Sequence, residues 1–298
     1  MRPDAPGLTR RIALAGGLLA GLQLGCAQAE PFSAASFEAI EARLGGPIGL
    51  DAWNTADGGR VSWRADQRFW MCSTFKPLAV AALLDRVDHG HEKLNRFVRY
   101  GRADLLSYAP VTTANLGRGG MSLNDLCAAA IEVSDNTAAN LILKTLGGPD
   151  AVTRYARDLG DPLTRLDRTE PTLNDAKVGD LRDTTTPAAM VGLWRQLLVR
   201  DTLSQGSRQR LFGWLRACQT GPDRLPAAAP KDWTIGHKTG SGDNGAAGDV
   251  ALLMPPGKSP ILIAAYLGVN TAPPEAHASA IAEAGRLALR RLTVHFEV

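Results

Sequence analysis

The sequence predicts an α+β fold: a mainly antiparallel sheet built from both chain ends with flanking helices, plus an inserted all-helical region, with a cleft between the two. Three observations predict it. Strand patterns occur at residues 48–53 and 61–63 and return only at 233–239, 250–254 and 261–266. Between them, from roughly Leu94 to Cys218, the chain carries helical periods broken by turn residues. A last helical pattern, about Glu275 to Leu292, closes the chain. A length of 298 residues suits one large domain or two closely packed ones. The expected division is a leader at 1–29 and a domain at 30–298, with its α/β part at about 30–67 and 220–298 and its helical part at about 68–219.

The leader reads as an export signal. Arg10 and Arg11 precede an apolar segment, Ile12 to Leu24, too short and glycine-rich to span a membrane, and Ala27-Gln28-Ala29 follows as a small-x-small cleavage site before Glu30. Thr9-Arg10-Arg11 is a partial twin-arginine match, with ordinary secretion equally open. A lipoprotein site at Gly25-Cys26 is disfavoured by Gln23, where such sites carry an aliphatic residue. The expected location is therefore secreted or periplasmic, with no membrane anchor in the mature form. Removal of residues 1–29 lowers the formal charge from +3 to about +1, so neither nucleic acid nor a membrane surface is expected as a partner. Cys72, Cys127 and Cys218 remain, an odd number that leaves at least one thiol unpaired within the chain.

Each element has its local signal. Ser36 can cap a short helix on Phe37, Ile40 and Leu44 that ends at Gly45-Gly46. The first two strands meet at Asp57-Gly58-Gly59, a hairpin turn. A long helix is expected to begin near Ser73, because Pro77 is tolerated only in a first turn. Ser122 with Asp125 opens a helix on Leu126, Ala129 and Ile131; others run from Asn136 to Leu146 and from Pro149 to Leu159. Residues 161–183 show no sustained period and many turn residues, which predicts a long ordered loop, usually a functional feature. Thr186-Pro187 starts a helix through Leu198, and Ser204 to Leu215 forms another.

Four short stretches carry chemistry. Ser73-Thr74-Phe75-Lys76 places a lysine three residues after a serine, one face of a helix, so the amine can reach and activate the hydroxyl. Ser134-Asp135-Asn136 sits between two helices, Glu170-Pro171-Thr172-Leu173-Asn174 lies in the long loop, and Lys238-Thr239-Gly240 ends a strand. Singly, each has a bland reading: a chance spacing, a helix cap, a polar surface loop and a solvated strand end.

In this order and spacing, S-x-x-K, S-D-N, E-x-x-L-N and K-T-G resemble the class A serine β-lactamases over essentially the whole mature chain. The resemblance implies a monomeric hydrolase of small-molecule β-lactams that works through an acyl-enzyme and needs no metal or cofactor. Carried over by position, Ser73 is the nucleophile, with Lys76 accepting or relaying its proton. Ser134 protonates the lactam nitrogen, Lys238 attracts the substrate carboxylate, and Thr239 and Gly240 line the same strand. The backbone N–H groups of Ser73 and Ser241 form the oxyanion hole. Glu170, with Asn174 positioning a water, is the base for deacylation; whether it or Lys76 is the base for acylation stays open. Arg168 and Asp183 match the pair that clamps the base's loop, where the bland alternative is a surface ion pair worth about 0–1 kcal/mol. Asn136 binds the substrate's side-chain amide, and Tyr108 stands at the cleft mouth.

The chain also departs from the pattern. An arginine that many members carry after K-T-G is replaced by Ala247, and Arg224 matches the alternative position. Cys72 lacks the partner that some carbapenem-hydrolysing relatives have, the position being Gly242, and Cys127 faces Val80 where the family has its partner; both are expected as buried thiols. Three motifs are set aside. Gly240 to Gly245 fits G-x-G-x-x-G but opens no helix; His89 and His91 have no third ligand nearby; the apolar stripe from Val191 to Leu198 is core. A D,D-peptidase or penicillin-binding protein, or a non-turnover β-lactam sensor, remains the alternative.

Overall fold

The computed structural model describes residues 34–293, so the export signal and Cys26 lie outside the described residues. In chain order the elements are α1 (Ala34–Leu44), β1 (Ile48–Asn54), β2 (Arg60–Trp63), β3 (Phe69–Trp70), α2 (Lys76–Asp88), β4 (Phe97–Arg99), α3 (Pro110–Ala114), β5 (Gly120–Ser122), α4 (Leu123–Glu132), α5 (Asn136–Leu146), α6 (Asp150–Asp158), β6 (Thr184–Thr185), α7 (Pro187–Leu198), α8 (Gln205–Arg216), β7 (Thr234–Ser241), β8 (Ala247–Met254), β9 (Ile261–Leu267) and α9 (Pro274–Thr293).

The expected sheet is present. Five strands in the order β2-β1-β9-β8-β7 pair antiparallel throughout, two from the start of the chain and three from its end. Strand side chains alternate between faces, and β9 is buried on both. Ile261, Ile263, Ala265 and Leu267 join α1 and α9 in one core, whereas Leu262, Ala264 and Tyr266 join the helical region in another. In β7 the same alternation puts Lys238, paired with Val250, towards the helical region, and His237, paired with Ala251, on the reverse face.

Helix α2 is the centre of the second core. Every residue from Lys76 to Leu84 is buried, as a helix apolar all round requires, and α4, α5, α6 and α8 surround it. Ser122 caps α4 through Asp125 N, as the sequence predicts.

Two local expectations are corrected. Helix α1 already includes Ala34, so Ser36 lies inside it and does not cap it. The chain enters α2 through a separate 3-10 turn, Cys72–Phe75, with Cys72 in the left-handed region at φ 45°, so Ser73 stands on this turn and not on the α-helix itself. The short pairs β3–β6 and β4–β5 escape the sequence because strands of two or three residues have no period to read. One of them matters for the site. The β3–β6 pair, with Met71 N donating to Asp183 O at 3.0 Å, fastens the turn bearing Ser73 to the end of the long loop.

Candidate active site

Ser73, Lys76, Ser134, Glu170 and Lys238 converge from four separate stretches of the chain. The Ser73 Oγ donates to Glu170 Oε1 at 3.0 Å. Lys76 Nζ lies 3.1 Å from the same oxygen and donates to Ser134 O at 2.9 Å, Ser134 Oγ at 3.0 Å and Asn136 Oδ1 at 2.7 Å. Lys238 Nζ donates to Ser134 Oγ at 3.1 Å and to Thr239 O at 2.9 Å. The lysine expected to bond the serine hydroxyl is thus committed elsewhere among the described contacts. Its three ammonium protons go to oxygens of the α4–α5 junction and of the loop, where a buried carboxylate is the stronger acceptor.

Both lysines are fully buried. Burial pushes the Lys76 ammonium down, against the opposing charge of Glu170. Lys238 is pushed down to about 7 by burial and by the neighbouring Lys76. Ser134 Oγ accepts from both lysines, which fills its two lone-pair sites and leaves its one proton to point at something else. Ser134 itself stands at φ 60°, a left-handed conformation costing on the order of 1–3 kcal/mol for a non-glycine residue.

Glu170 is positioned from both ends of its loop. Asn174 Nδ2 donates to Glu170 Oε2 at 2.6 Å and to Pro171 O at 3.0 Å, while Asn174 Oδ1 is buried without a protein partner. The Glu170–Pro171 peptide is cis. At the loop's base, Arg168 Nε donates to Asp183 Oδ2 at 2.5 Å, and Asp183 Oδ1 accepts from Asp167 N at 2.8 Å and Arg168 N at 2.9 Å. The Asp183 side chain is 0% exposed and that of Arg168 14%, so this clamp is a buried pair and not the surface ion pair allowed by the sequence.

Strand β7 forms the opposite wall. A Cβ added to Gly240 would lie 2.6 Å from Met71 O and 3.1 Å from Ser73 N, so only glycine lets this strand approach the turn bearing Ser73. Arg224 reaches the strand from the preceding segment, donating to Gly240 O and Gly248 O at 2.8 Å each and to Ser241 Oγ at 2.8 Å. Thr239 Oγ1 is 2.5 Å from Thr220 Oγ1. Tyr108 is half-exposed and touches the site through its backbone, its carbonyl accepting from Asn136 N at 3.0 Å. Cys72 and Cys127 are buried free thiols.

Two positioning residues escape the sequence reading. Asp135 Oδ1 caps α5 through Ala138 N at 2.8 Å, and its Oδ2 accepts from Val111 N at 3.0 Å and Thr112 N at 2.9 Å, tying the segment after Tyr108 to the Ser134 junction. The middle residue of S-D-N is therefore more than a cap. Asn140, one turn after Asn136 on α5, clasps the backbone of Glu170, with Nδ2 donating to its O at 2.8 Å and Oδ1 accepting from its N at 2.9 Å. Nothing in its neighbourhood marks Asn140 beyond the four-residue spacing from Asn136. Asn140→Ala is expected to lower stability by about 1–3 kcal/mol and to reduce kcat more than it raises KM, with covalent adduct accumulating. A denaturant midpoint and a steady-state KM-against-kcat comparison check it; a change in KM alone would contradict this role.

The comparisons with known proteins agree with this geometry. Residues 33–292 match the model of the Beta-lactamase enzyme family. The chain is 44% identical to β-lactamase OXY-2 of Klebsiella oxytoca over 76% of its own length and 78% of the relative's. It is 41% identical to β-lactamase CTX-M-25 of Escherichia coli over 91% and 92%. Among solved structures, an ancestral (GNCA) class A β-lactamase superposes with a TM-score of 0.84 at 50% identity, covering 86% of this chain and 98% of that one. The sheet from both chain ends, the serine–lysine turn and the glutamate loop are thus those of a known group, and the chain belongs to the class A serine β-lactamases, hydrolases of β-lactams.

Proposed function

We propose that one carboxylate, Glu170, serves both halves of the reaction. The 3.0 Å hydrogen bond from Ser73 Oγ to Glu170 Oε1 carries this reading. In acylation, Glu170 takes the proton of Ser73 as the oxygen attacks the lactam carbonyl. The backbone N–H groups of Ser73 and Ser241 receive the oxyanion, each such donor being worth about 10²–10³ in rate. Ser134, its lone pairs held by Lys76 and Lys238, gives its proton to the lactam nitrogen as the C–N bond breaks, and Lys76 reprotonates it across 3.0 Å. Glu170 then passes the proton it took from Ser73 to Lys76 across 3.1 Å, which restores both groups, and in deacylation the carboxylate and the buried acceptor Oδ1 of Asn174 hold and activate a water.

The substrate carboxylate meets Lys238, Thr239, Ser241 and Arg224 along β7, supported by the convergence of these groups on one strand edge. Substrate binding restores the charge of Lys238, since a carboxylate favours the ammonium that burial disfavours. Asn136, its Oδ1 occupied by Lys76, offers its N–H groups to the substrate's side-chain amide, and Tyr108 closes the mouth. We further propose that residues 1–29 are removed on export, that the mature chain acts in the periplasm or outside the cell, and that it works as a monomer.

Turnover of a chromogenic cephalosporin, followed together with intact and native mass of the exported protein, tests this reading. Steady hydrolysis with a transient adduct, on a monomer that begins at Glu30, is expected. A stoichiometric adduct that persists without turnover would favour the D,D-peptidase or sensor alternative.

A further inference from the structure

A buried ion pair for which the proposed reaction has no use lies on the face of β7 away from Lys238. Asp249 on β8 and His237 on β7 are both buried, the carboxylate completely. His237 Nδ1 stands 3.0 Å from Asp249 Oδ1 and 3.2 Å from Oδ2, and Leu225 N donates to Oδ2 at 3.0 Å. Burial disfavours the ring's cation, but Asp249 outweighs it and lifts His237 to about 10, so the pair is ionised at neutral pH. A buried ion pair seldom adds more stability than well-packed apolar side chains of the same volume. What it supplies here is position: a carboxylate held from two sides fixes both of its donors.

Each donor stands next to a cation of the cleft. Leu225 follows Arg224 and opens the 3-10 turn Leu225–Ala228, so Asp249 holds the backbone one residue beyond the arginine. The guanidinium end is held by the residue before Asp249, since Arg224 Nη1 donates to Gly248 O and to Gly240 O at 2.8 Å each. With Nη2 donating to Ser241 Oγ at 2.8 Å, three of the five guanidinium N–H groups have acceptors, and two have none among the described contacts.

On β7, His237 precedes Lys238. Neighbouring strand residues point to opposite faces, so anchoring the His237 ring behind the sheet fixes the roll of β7 and with it the direction of Lys238. Thr239 stands directly opposite Asp249 in the β7–β8 ladder. Burial and the Lys76 charge disfavour the Lys238 ammonium, and Asp249 is among the charges that favour it.

We propose that Asp249 is a positioning residue for recognition of the substrate carboxylate: from behind the sheet it fixes Arg224 through Leu225 and Lys238 through His237, so that cations from two segments meet one anion. Asp249 touches no substrate atom, and no described hydrogen bond joins it to Ser73, Ser134 or Glu170. When it is lost, Lys238 keeps Ser134 Oγ and Thr239 O as acceptors, so the proton path to the lactam nitrogen stays in place. The loss therefore falls on ground-state binding of the anion. This role rests on the carboxylate-binding roles proposed above for Lys238 and Arg224.

The test compares benzylpenicillin with its methyl ester, which lacks the anion, as substrates of the folded full chain. The wild-type protein is expected to prefer the acid by about 10²-fold in kcat/KM, and Arg224→Ala to lose most of that preference. Asp249→Asn keeps the size of the side chain but loses its charge and one acceptor. It is expected to raise KM for the acid about tenfold, with kcat within about threefold and KM for the ester within about twofold, so the preference drops about tenfold. His237→Ala cuts one arm and leaves Leu225 held, and a drop of about threefold in the same direction is expected. That variant decides the matter if Asp249→Asn does not fold. Equal losses for acid and ester in these variants, or a fall in kcat with KM unchanged, would mean that Asp249 only stabilises the sheet and would overturn the positioning role. A wild-type protein with no preference for the acid would overturn the carboxylate-binding reading itself, and the role of Asp249 with it.

Discussion

Glu170→Gln is expected to give an enzyme that is acylated and does not let go. The amide keeps the size of the carboxylate and its place between Asn174 and the Asn140 clasp, but it cannot accept a proton at neutral pH. Loss of a general base costs about 10²–10⁴ in rate, and the two halves of the reaction feel it unequally. The Glu170 charge holds the Lys76 ammonium up against burial. Removing that charge pushes Lys76 further down and makes it a better proton acceptor for the acylation half. The hydrolytic water gains no such substitute. Turnover should fall by about 10²–10⁴, while intact mass shows one equivalent of covalent adduct that persists for the duration of the assay. Normal turnover in this variant would remove Glu170 from the mechanism.

Ser73→Ala is expected to abolish adduct formation altogether. Loss of a catalytic nucleophile costs up to about 10⁶ in kcat where the residual rate depends on the surrounding site alone. The lysines, Ser134 and the β7 wall do not depend on the hydroxyl: Lys76 keeps its contacts to Ser134, Asn136 and Glu170, and Arg224 keeps Ser241. Non-covalent binding of a β-lactam by titration calorimetry should therefore survive, with turnover at background. A mass adduct on the Ser73→Ala protein would mean that another group is the nucleophile.

The two variants separate the capacities that distinguish a β-lactamase from proteins that merely bind β-lactams. In the proposed mechanism one residue makes the bond and the other breaks it, and 3.0 Å separates them. The β3–β6 pair and the Met71–Asp183 hydrogen bond hold them at that distance, by tying the turn of one to the loop of the other.

Much of this was legible in the chain. Strand alternation near both termini and helical periods between them gave the sheet and the central helix, because a half-buried element repeats its apolar residues at its own period. Residue types at four positions named the chemistry, since serine, lysine and glutamate in register are costly to bury for any other purpose. Local reading failed where contact replaced period. The lysine spacing suggested a bond to the serine, but only the approach of the Glu170 carboxylate decides which acceptor Lys76 takes. Arg168 and Asp183 could be read as the loop's clamp or as a surface ion pair, and only their burial beneath the loop decides between the two. Asn140 looked like any polar residue on a helix until it met the backbone of a loop thirty residues on.

The sequence by itself determined the fold class, the family and the candidates for the reacting groups. These depend on residue type and on distances along the chain. Tertiary structure alone decided which oxygen holds the serine proton, that two buried lysines share Ser134, and that Asn140 clasps the backbone of Glu170. Each is a contact between segments far apart in the chain, and the strength of such a contact is set by burial and by a few tenths of an ångström, which no local pattern encodes.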